Sequence, residues 1–339
     1  MRYIKKTTAT VYNSTRFNTK MDFGLVAARY PVRLTDYYAA LIKQSDDAIW
    51  KQCMPDQREL DDVRQDPDPL DEAALSPIPG LIHRYPDRVV LLVSNRCPVY
   101  CRFCMRKRLV GSGDAPMSKD AFHKIVEYIT AHTEIHDVIL SGGDPLMLDD
   151  ATLKTVLTKI RAIPHVSIIR IGTRIPVTLP SRITKELSEM LGMFHPLYIN
   201  THFNHPDEIT ADSMSACSLL ANAGIPLGNQ TVLLKGVNDS LETMRHLMTG
   251  LLALRVRPYY LHQMDLVQGT AHFRTSVRTG LEILQGLRGH ISGLAIPHYV
   301  IDLPGGEGKV ALLPEDVVIK GSTLLIRTYT GKLITYQDI

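Results

Sequence analysis

The chain has 339 residues, of which 45% are hydrophobic and 22% charged, enough apolar sequence for one large α/β domain with smaller additions. Lysine and arginine exceed aspartate and glutamate by only three, so the sequence lacks the basic field typical of nucleic-acid binders and predicts no nucleic-acid partner. Five cysteines without a disulfide pattern, no apolar leader and no run of ~18 apolar residues predict a cytoplasmic protein without a membrane partner.

The first 80 residues predict a largely helical N-terminal extension that ends in a linker. Residues 34–52 have the apolar spacing of a helix, and we expect a helix there. Residues 61–79 are acidic and rich in proline, a composition typical of a linker wrapped on the surface.

Beyond residue 80, short β-branched runs alternate with amphipathic segments. The runs predict strands at residues 89–94, 137–140, 166–172, 197–201, 225–234, 258–262 and 294–301. The amphipathic segments predict helices at residues 119–132, 150–163, 183–191, 211–223, 241–254 and 277–289. Strict alternation implies a parallel sheet with right-handed crossovers, and about six such units predict an open (β/α)6 partial barrel over residues 81–301. Ligands bind such sheets at the carboxyl ends of the strands.

Three thiols follow the first predicted strand in the run Cys97-Pro-Val-Tyr-Cys101-Arg-Phe-Cys104. Three closely spaced thiolates can hold three corners of a [4Fe–4S] cluster and leave the fourth iron open for a reactive ligand. A structural zinc knuckle is the alternative, but it needs a fourth protein ligand. Cys53 and Cys217 lie far away in sequence, and neither belongs to a CxxC or CxxH pair. The spacing resembles that of radical S-adenosylmethionine (SAM) enzymes, a group known for a partial (β/α)6 barrel.

A glycine pair follows the second predicted strand in Ser141-Gly142-Gly143-Asp144-Pro145. Adjacent glycines let a backbone approach a ligand closely, although a tight turn between a strand and a helix uses the same residues. After a cysteine run and a strand, this segment resembles the one that binds the amino group of SAM in that group of enzymes.

Two further polar residues lie at or near strand ends and match SAM-contacting positions of the same group. They are His202, in Asn-Thr-His-Phe-Asn-His-Pro, and Gln230, in Gly-Asn-Gln-Thr. A lone histidine at such a place is more often a structural residue, so that alternative stays open for His202.

The last predicted strand leads into the glycine-rich segment Asp302-Leu-Pro-Gly-Gly-Glu-Gly-Lys309. In isolation this segment would be a mobile surface turn with a solvated lysine. A lysine held over a barrel mouth is also suited to form a Schiff base with pyridoxal phosphate (PLP). Arg88 lies just ahead of the first strand, where its guanidinium could bind the PLP phosphate. Residues 302–339 are therefore expected to form a short C-terminal segment that carries the PLP lysine.

Taken together, these segments resemble the lysine 2,3-aminomutases, which are radical SAM and PLP enzymes. The match runs from about residue 85 to residue 309 and includes Ile-Pro-His-Val, Arg-Ile-Pro-Val-x-Leu-Pro, Leu-Leu-Lys-Gly-Val-Asn-Asp, Arg-Pro-Tyr-Tyr and His-Phe-Arg-Thr besides the motifs above. The roles that the resemblance implies are cluster ligation by Cys97, Cys101 and Cys104, SAM binding by Gly142, Gly143, Asp144, His202 and Gln230, PLP binding by Lys309 and Arg88, and substrate binding by Arg106, Asp265 and Asp302.

Asp265 and Asp302 also indicate a cation-binding site on chemical grounds alone, independently of the family resemblance. Two carboxylates at strand ends around a closed cleft raise each other's pKa unless a cation lies between them, and a lysine side chain supplies one. The alternative is that each acid pairs with a local arginine or caps a turn. In the family, a lysine and an asparagine at these positions would point to glutamate as the substrate.

The chain also departs from the best-known members of the family. They carry a C-terminal extension with clustered cysteines that bind structural zinc between subunits, and this sequence has only the matching Cys217. We therefore expect no structural zinc, and a homo-oligomer stays possible. His262 stands where a longer member has a tyrosine, a feature of short relatives that make β-lysine for modifying elongation factor P.

The predicted function is that of an isomerase that converts L-lysine to β-lysine by 2,3-migration of the α-amino group, using a [4Fe–4S] cluster, SAM and PLP. In the family, a 5′-deoxyadenosyl radical starts the reaction, and an electron donor such as flavodoxin or ferredoxin is expected. One alternative is a 2,3-aminomutase that acts on glutamate or arginine. Another is a non-enzymatic iron–sulfur electron carrier, which would need no PLP lysine.

Overall fold

The computed structural model describes residues 3–6, 24–62, 65–111, 117–314, 317–320, 323–328 and 330–337. Its strands are β1 (Tyr3–Lys6), β2 (Val32–Thr35), β3 (Leu81–Tyr85), β4 (Arg88–Ser94), β5 (Asp137–Gly142), β6 (Ile168–Gly172), β7 (Leu197–Thr201), β8 (Leu227–Leu233), β9 (Val256–Gln263), β10 (His298–Leu303), β11 (Gly308–Ala311), β12 (Val317–Lys320), β13 (Thr323–Arg327) and β14 (Leu333–Gln337). Its α-helices are α1 (Gly24–Arg29), α2 (Asp36–Ala40), α3 (Ala48–Cys53), α4 (Arg58–Asp61), α5 (Lys119–Ala131), α6 (Asp150–Arg161), α7 (Ile175–Thr178), α8 (Lys185–Gly192), α9 (Ala211–Asn222), α10 (Leu241–Ala253) and α11 (Val277–Leu287).

Strands β3 to β11 form one nine-stranded sheet in which spatial order follows chain order. Strands β4 to β10 are parallel to their neighbours, whereas β3 and β11 pair antiparallel at the two edges. Helices connect each parallel strand to the next, which gives six β/α units and confirms the predicted (β/α)6 architecture.

Six helices that cross between the parallel strands begin at a capping residue that the sequence makes recognisable. At each start, a Ser, Thr or Asp side chain accepts a hydrogen bond from the backbone N–H three residues later. The six capping residues are Ser118, Asp149, Thr184, Thr210, Ser240 and Ser276. These caps explain why the predicted helix starts agree with the structure to within two residues.

The two edges of the sheet approach one another. Arg84 on β3 donates a hydrogen bond to Asp302 on β10 at 3.0 Å, and the backbone N–H of Lys309 on β11 donates to the hydroxyl of Tyr85 on β3 at 2.9 Å. The sheet is therefore curled into a nearly closed barrel whose seam is bridged by side chains.

The predicted helix over residues 34–52 is wrong as a single element. Leu34 lies in β2, and two short helices, α2 and α3, follow it. Thr35 caps α2, and the carboxylate of Asp47 accepts from the backbone N–H groups of Ile49 and Trp50 to start α3. The side chains of Thr35 and Asp47 accept hydrogen bonds from backbone N–H groups, so a new helix begins after each of them and the segment is divided.

The last predicted strand also begins later than expected, at His298, because residues 293–295 form a short 3-10 helix. Beyond the barrel, β12, β13 and β14 form a small antiparallel sheet. None of the helices within the described ranges has the length and hydropathy of a bilayer span.

Candidate active site

The N-terminal extension holds the cysteine loop that follows β4. The backbone N–H of Arg102 donates to the carbonyl of Gln52 at 2.9 Å. Its guanidinium, only 2% exposed, forms two hydrogen bonds with Glu59 of α4 at 2.9 and 2.5 Å. Lys107 donates to the same carboxylate at 2.7 Å, and burial lowers the pKa of this lysine to about 8. A buried ion-paired network of this kind fixes the loop because loss of either partner would leave a charge unpaired.

The three thiols of this loop are electrostatically coupled to one another. Burial, followed by the charges of Asp144 and the other two cysteines, raises the pKa of Cys97 well above its usual range. Burial and then Cys101 raise the pKa of Cys104 to about 11. Ligation by iron would therefore release protons from these buried thiols.

Arg174 supplies a positive charge next to the thiols, because its Nη1 lies 2.8 Å from the Sγ of Cys101. In the described part of the chain, no three His, Cys, Asp or Glu side chains are grouped around a position for a single metal ion. A cubane cluster does not need such a group, since each thiolate binds a different iron. The loop fits a three-thiolate cluster site.

The glycine pair after β5 packs directly against the backbone of the cysteine loop. A Cβ at Gly142, whose φ is +122°, would lie 2.2 Å from the carbonyl oxygen of Ser94. A Cβ at Gly143 would lie 2.3 Å from that of Arg96, and the Gly143 N–H donates to Ser94 at 2.6 Å. Close approach of two backbones thus explains both glycines and fixes the end of β5 to the cysteine loop.

The Asp144 carboxylate is committed to hydrogen bonds within the protein. It accepts from the hydroxyl of Thr173 and from the backbone N–H groups of Arg174 and Leu146, at 2.7 to 3.0 Å. Burial raises its pKa to about 6 against the effect of these bonds. The side chain therefore holds the loop between β5 and β6.

His202 follows β7 and packs against the cysteine loop. The His202 ring stacks on Phe103, with centroids 5.6 Å apart, and its Nε2 lies 3.2 Å from the amide nitrogen of Asn204. Burial, and next the charge of Arg174, lowers its pKa well below the usual value, so the ring is neutral at pH 7. Gln230 lies half-buried in β8.

Lys309 is not a solvated surface lysine. The hairpin of β10 and β11 places it directly opposite Asp302, and its Nζ contacts that carboxylate. The same Nζ lies 3.4 Å from Nδ1 of His262 and 5.3 Å from the ring centroid of Tyr260. Its side chain is 21% exposed. Burial and then Lys309 lower the pKa of His262, so the imidazole is neutral at pH 7 and adds no further cation.

Arg88 contacts Tyr85, which in turn contacts the backbone of Lys309. Its guanidinium lies 4.4 Å from the centroid of the Tyr85 ring, whose hydroxyl accepts from the backbone of Lys309. The Arg88 side chain also pairs with Asp87 at 3.1 Å and is 40% exposed. Arg88 and the backbone of Lys309 therefore contact the same tyrosine, and the Arg88 guanidinium is accessible to an anion.

Asp265 and Asp302 lie close enough to interact electrostatically, but their partners differ. Burial would raise the pKa of Asp302, but the nearby His262, whose Nδ1 lies 3.6 Å from the carboxylate, and the charge of Lys309 hold it below its usual range. Asp302 also pairs with Arg84 at 3.0 Å, so for this acid the alternative of pairing with an arginine applies as well. Burial, and then the charge of Asp302, raises the pKa of Asp265 to about 7. Asp265 is thus the acid that a further cation would stabilise.

Arg106 is bound by an acid that sequence reasoning missed. Its Nε and Nη2 contact both carboxylate oxygens of Glu72 at 2.8 to 3.2 Å, and its Nη1 donates to the Ser141 hydroxyl at 3.1 Å. Glu72 is only 7% exposed, so the prediction of a surface linker over residues 61–79 is wrong at this point. The acidity of that stretch was the available signal, because it supplies the counterion of a buried arginine.

Two family models match the chain. One, described as the radical SAM superfamily, covers residues 91–248, and the other, described as lysine-2,3-aminomutase, covers residues 284–339. The L-lysine 2,3-aminomutase of Fusobacterium nucleatum is 50% identical over 309 residues, which are 90% of this chain and 73% of that protein. The enzyme of the same name from Clostridium subterminale is 49% identical over 90% of this chain and 74% of its own length. A glutamate 2,3-aminomutase of Clostridioides difficile is 46% identical over 92% of this chain and 75% of its own length.

Proposed function

Since the chain belongs to the lysine 2,3-aminomutase family of radical SAM enzymes, we propose that it converts L-lysine to β-lysine by moving the α-amino group from C2 to C3. The observation that carries the choice of lysine is the acid pair Asp265 and Asp302 beside Lys309. A pocket in which the pKa of one carboxyl is raised by burial and by a second carboxylate gains from a ligand cation.

The same pocket disfavours glutamate. The side-chain carboxylate of glutamate would add a third negative group next to Asp265 and Asp302, and like charges within a few ångströms repel strongly in a buried site. A guanidinium would satisfy the acids as well as an ammonium does, so arginine has to be compared with lysine by experiment.

The chain's residues fit the three cofactors of the family. Cys97, Cys101 and Cys104 would hold a [4Fe–4S] cluster, and Lys309 with Arg88 would hold PLP by its aldehyde and its phosphate. The backbone of residues 142–144, together with His202 and Gln230, would bind SAM near the cluster loop, while the Asp144 carboxylate keeps its hydrogen bonds within the protein. When bound, these groups supply the radical and the carrier for the migrating nitrogen.

The protein's own part in the reaction is to bind both ends of the substrate. Arg106 is suited to the α-carboxylate because a guanidinium binds carboxylates with two parallel hydrogen bonds. Asp265 and Asp302 would hold the distal ammonium at the other end. Fixing both ends orients C2 and C3, and a positioned substrate reacts without further loss of rotational freedom. The neutral His262 adds no further cation to the acid pair. Because Asp302 already pairs with Arg84 and Lys309, Asp265 is the acid that gains more from the substrate cation.

The cluster of such an enzyme has to be reduced by another molecule. We propose a small flavodoxin- or ferredoxin-type protein as the electron donor. Self-association of this chain is also proposed, because the small sheet of β12 to β14 exposes Leu333 and Ile334 at its outer strand.

The test is a substrate panel under anaerobic conditions. Protein reconstituted with iron and sulfide is incubated with SAM, PLP, dithionite and L-lysine, L-glutamate or L-arginine, and the α- and β-isomers are separated by chromatography. We expect β-lysine as the main product. Conversion of only glutamate or only arginine would overturn the lysine assignment, and a purified protein that takes up no PLP would favour the electron carrier.

A further inference from the structure

Glu72 lies in a segment, residues 66–75, that spans the barrel mouth and is here named the strap. The carbonyl of Asp66 accepts from the N–H of Gln268 at 3.0 Å, three residues after the substrate acid Asp265. The carbonyl of Pro69 accepts from the N–H of Gly305 at 2.8 Å, in the loop that leads to Lys309. The strap therefore contacts both of the segments that carry the lysine and ammonium sites.

The glycine loop fits closely under the strap. Gly306 has a φ of +76°, and a Cβ there would lie 2.5 Å from the Leu75 side chain and 3.0 Å from the carbonyl of Leu70. Asp68 stabilises the strap's turn, because its carboxylate accepts from the backbone N–H groups of Glu72 and Ala73 at 3.2 and 3.0 Å. The backbone that carries Glu72 is thus fixed on both sides.

Glu72 occupies one side of the Arg106 guanidinium and leaves another side available. A guanidinium has five N–H donors. Glu72 binds through Nε and Nη2, and Ser141 takes one donor of Nη1, so within the described residues these contacts use three of the five. Arg106 also lines a cavity of about 310 Å³ together with Asn95 and Gly143, although Asp265, Asp302 and Lys309 are not among the residues that line it.

The ion pair of Arg106 and Glu72 is largely shielded from water, so its energy depends strongly on its geometry. The Arg106 side chain is 11% exposed and that of Glu72 is 9% exposed. Burial opposes the charge of Arg106, yet Glu72 and its hydrogen bonds hold the pKa of the guanidinium above its usual value. Arg108 lies 3.6 Å from the second oxygen of Glu72 and so adds a further cation to the cluster.

We infer that Glu72 is a positioning residue for the substrate carboxylate: it fixes the Arg106 guanidinium from one side so that the two remaining N–H groups bind the α-carboxylate of lysine. The inference rests on the proposed function and extends it to a residue of the N-terminal extension. Glu72 acts through Arg106 and touches neither the migrating nitrogen nor the distal ammonium.

Competition with the substrate is the alternative role of the same contact, because Glu72 is itself a carboxylate bound to the arginine that is proposed to bind the substrate carboxylate. In that case substrate would have to displace it, and its removal would tighten lysine binding. The strap's anchoring to Gln268 and Gly305 argues against displacement, since moving Glu72 would break contacts at both ends of the strap.

The experiment compares L-lysine with L-lysinamide, which lacks the carboxylate charge, on the PLP-loaded holoenzyme. Binding is followed by the change in PLP absorbance, and steady-state kinetics give KM and kcat for lysine. For Glu72→Ala we expect the dissociation constant and KM for lysine to rise about 10- to 100-fold, because a hydrogen bond to a charged group is lost. The dissociation constant for lysinamide should change less than about threefold. Glu72→Gln keeps one acceptor oxygen and should fall between the wild type and Glu72→Ala.

The matched control is Glu189→Ala. The Glu189 side chain, on α8, is 64% exposed and pairs with Lys185 at 3.7 Å, so this variant should leave the dissociation constants of both ligands unchanged. Tighter lysine binding by Glu72→Ala would overturn the inference in favour of competition. Equal weakening of lysine and lysinamide with a lowered Tm, seen again in Glu72→Gln, would reduce Glu72 to a structural role.

The wild-type measurement separates this inference from the proposed function. If wild-type holoenzyme binds another amino acid instead of lysine, the proposed substrate is wrong. The same comparison made with that amino acid and its amide then tests Glu72, since the argument concerns only the α-carboxylate.

Discussion

Asp265 should make lysine binding depend on pH in a way that asparagine at the same position cannot reproduce. Burial and the charge of Asp302 raise its pKa to about 7, while Lys309 and Arg84 oppose the rise. Below pH 7 the protonated carboxyl is neutral and no longer pairs with the substrate ammonium. Well below pH 7, each further pH unit should weaken lysine binding about tenfold. Because the carboxyl is already half protonated at pH 7, the loss between pH 7 and pH 5.5 should be about 16-fold.

The assay titrates PLP-loaded wild type and Asp265→Asn with L-lysine from pH 5.5 to 8.5 and follows the PLP absorbance. The substrate's α-amino group titrates in both proteins, so the ratio of the two dissociation constants isolates Asp265. The wild type should lose its advantage over Asp265→Asn as pH falls below 7 and keep it above pH 7. Parallel pH profiles in the two proteins would refute the reasoning.

The same shift predicts an effect on the stability of the unliganded protein. The folded pKa of Asp265 lies above its unfolded value of about 3.9, so the folded state binds more protons between about pH 4 and pH 7. Its contribution to the free energy of unfolding therefore decreases as pH rises through that window. Thermal unfolding of Asp265→Asn should lack this component, and lysine should restore stability to the wild type at neutral pH.

Three further predictions concern the cofactors and the second acid. Reconstituted protein should bind about four irons per chain, and Ala at Cys97, Cys101 or Cys104 should abolish SAM cleavage, measured as 5′-deoxyadenosine; cleavage retained in all three variants would contradict the cluster assignment. Borohydride should fix the pyridoxyl group on the peptide that contains Lys309, as seen by mass spectrometry, and a label on another peptide would exclude it as the PLP lysine. Asp302→Asn should weaken lysine use about 10²- to 10⁴-fold, because buried cations lose their carboxylate partner, with iron content unchanged; rates are compared per PLP bound, since Lys309 contacts Asp302, and wild-type kinetics would remove Asp302 from the substrate site.

The elements of the barrel could be predicted because their signals are local. Six helices between the parallel strands start at a capping side chain, and the first parallel strands, such as β4 and β5, are short runs rich in β-branched residues, so neighbouring residues decide both. The cysteine spacing and the glycine-rich segment are also contiguous patterns. The helix predicted over residues 34–52 was wrong because Thr35 and Asp47 hydrogen-bond backbone N–H groups and divide it.

The partners of the site residues could not be predicted because they are distant in sequence. Arg84 lies 218 residues from Asp302, and no local pattern indicates that the curled sheet brings its edges together. Glu72 belongs to an acidic, proline-rich stretch whose composition is typical of solvated linkers, yet it is buried against Arg106. Such residues are recognised only when the folded chain shows which buried charge they neutralise.

The central claim is that this chain moves the α-amino group of lysine from C2 to C3. The most direct measurement uses L-lysine carrying ¹⁵N on the α-amino group, incubated anaerobically with reconstituted protein, SAM, PLP and dithionite. The account predicts β-lysine with ¹⁵N on C3, no exchange with unlabelled ammonium in the medium, and no product when SAM is omitted. Unlabelled β-lysine, or no β-lysine from protein that carries both its cluster and PLP, would contradict it.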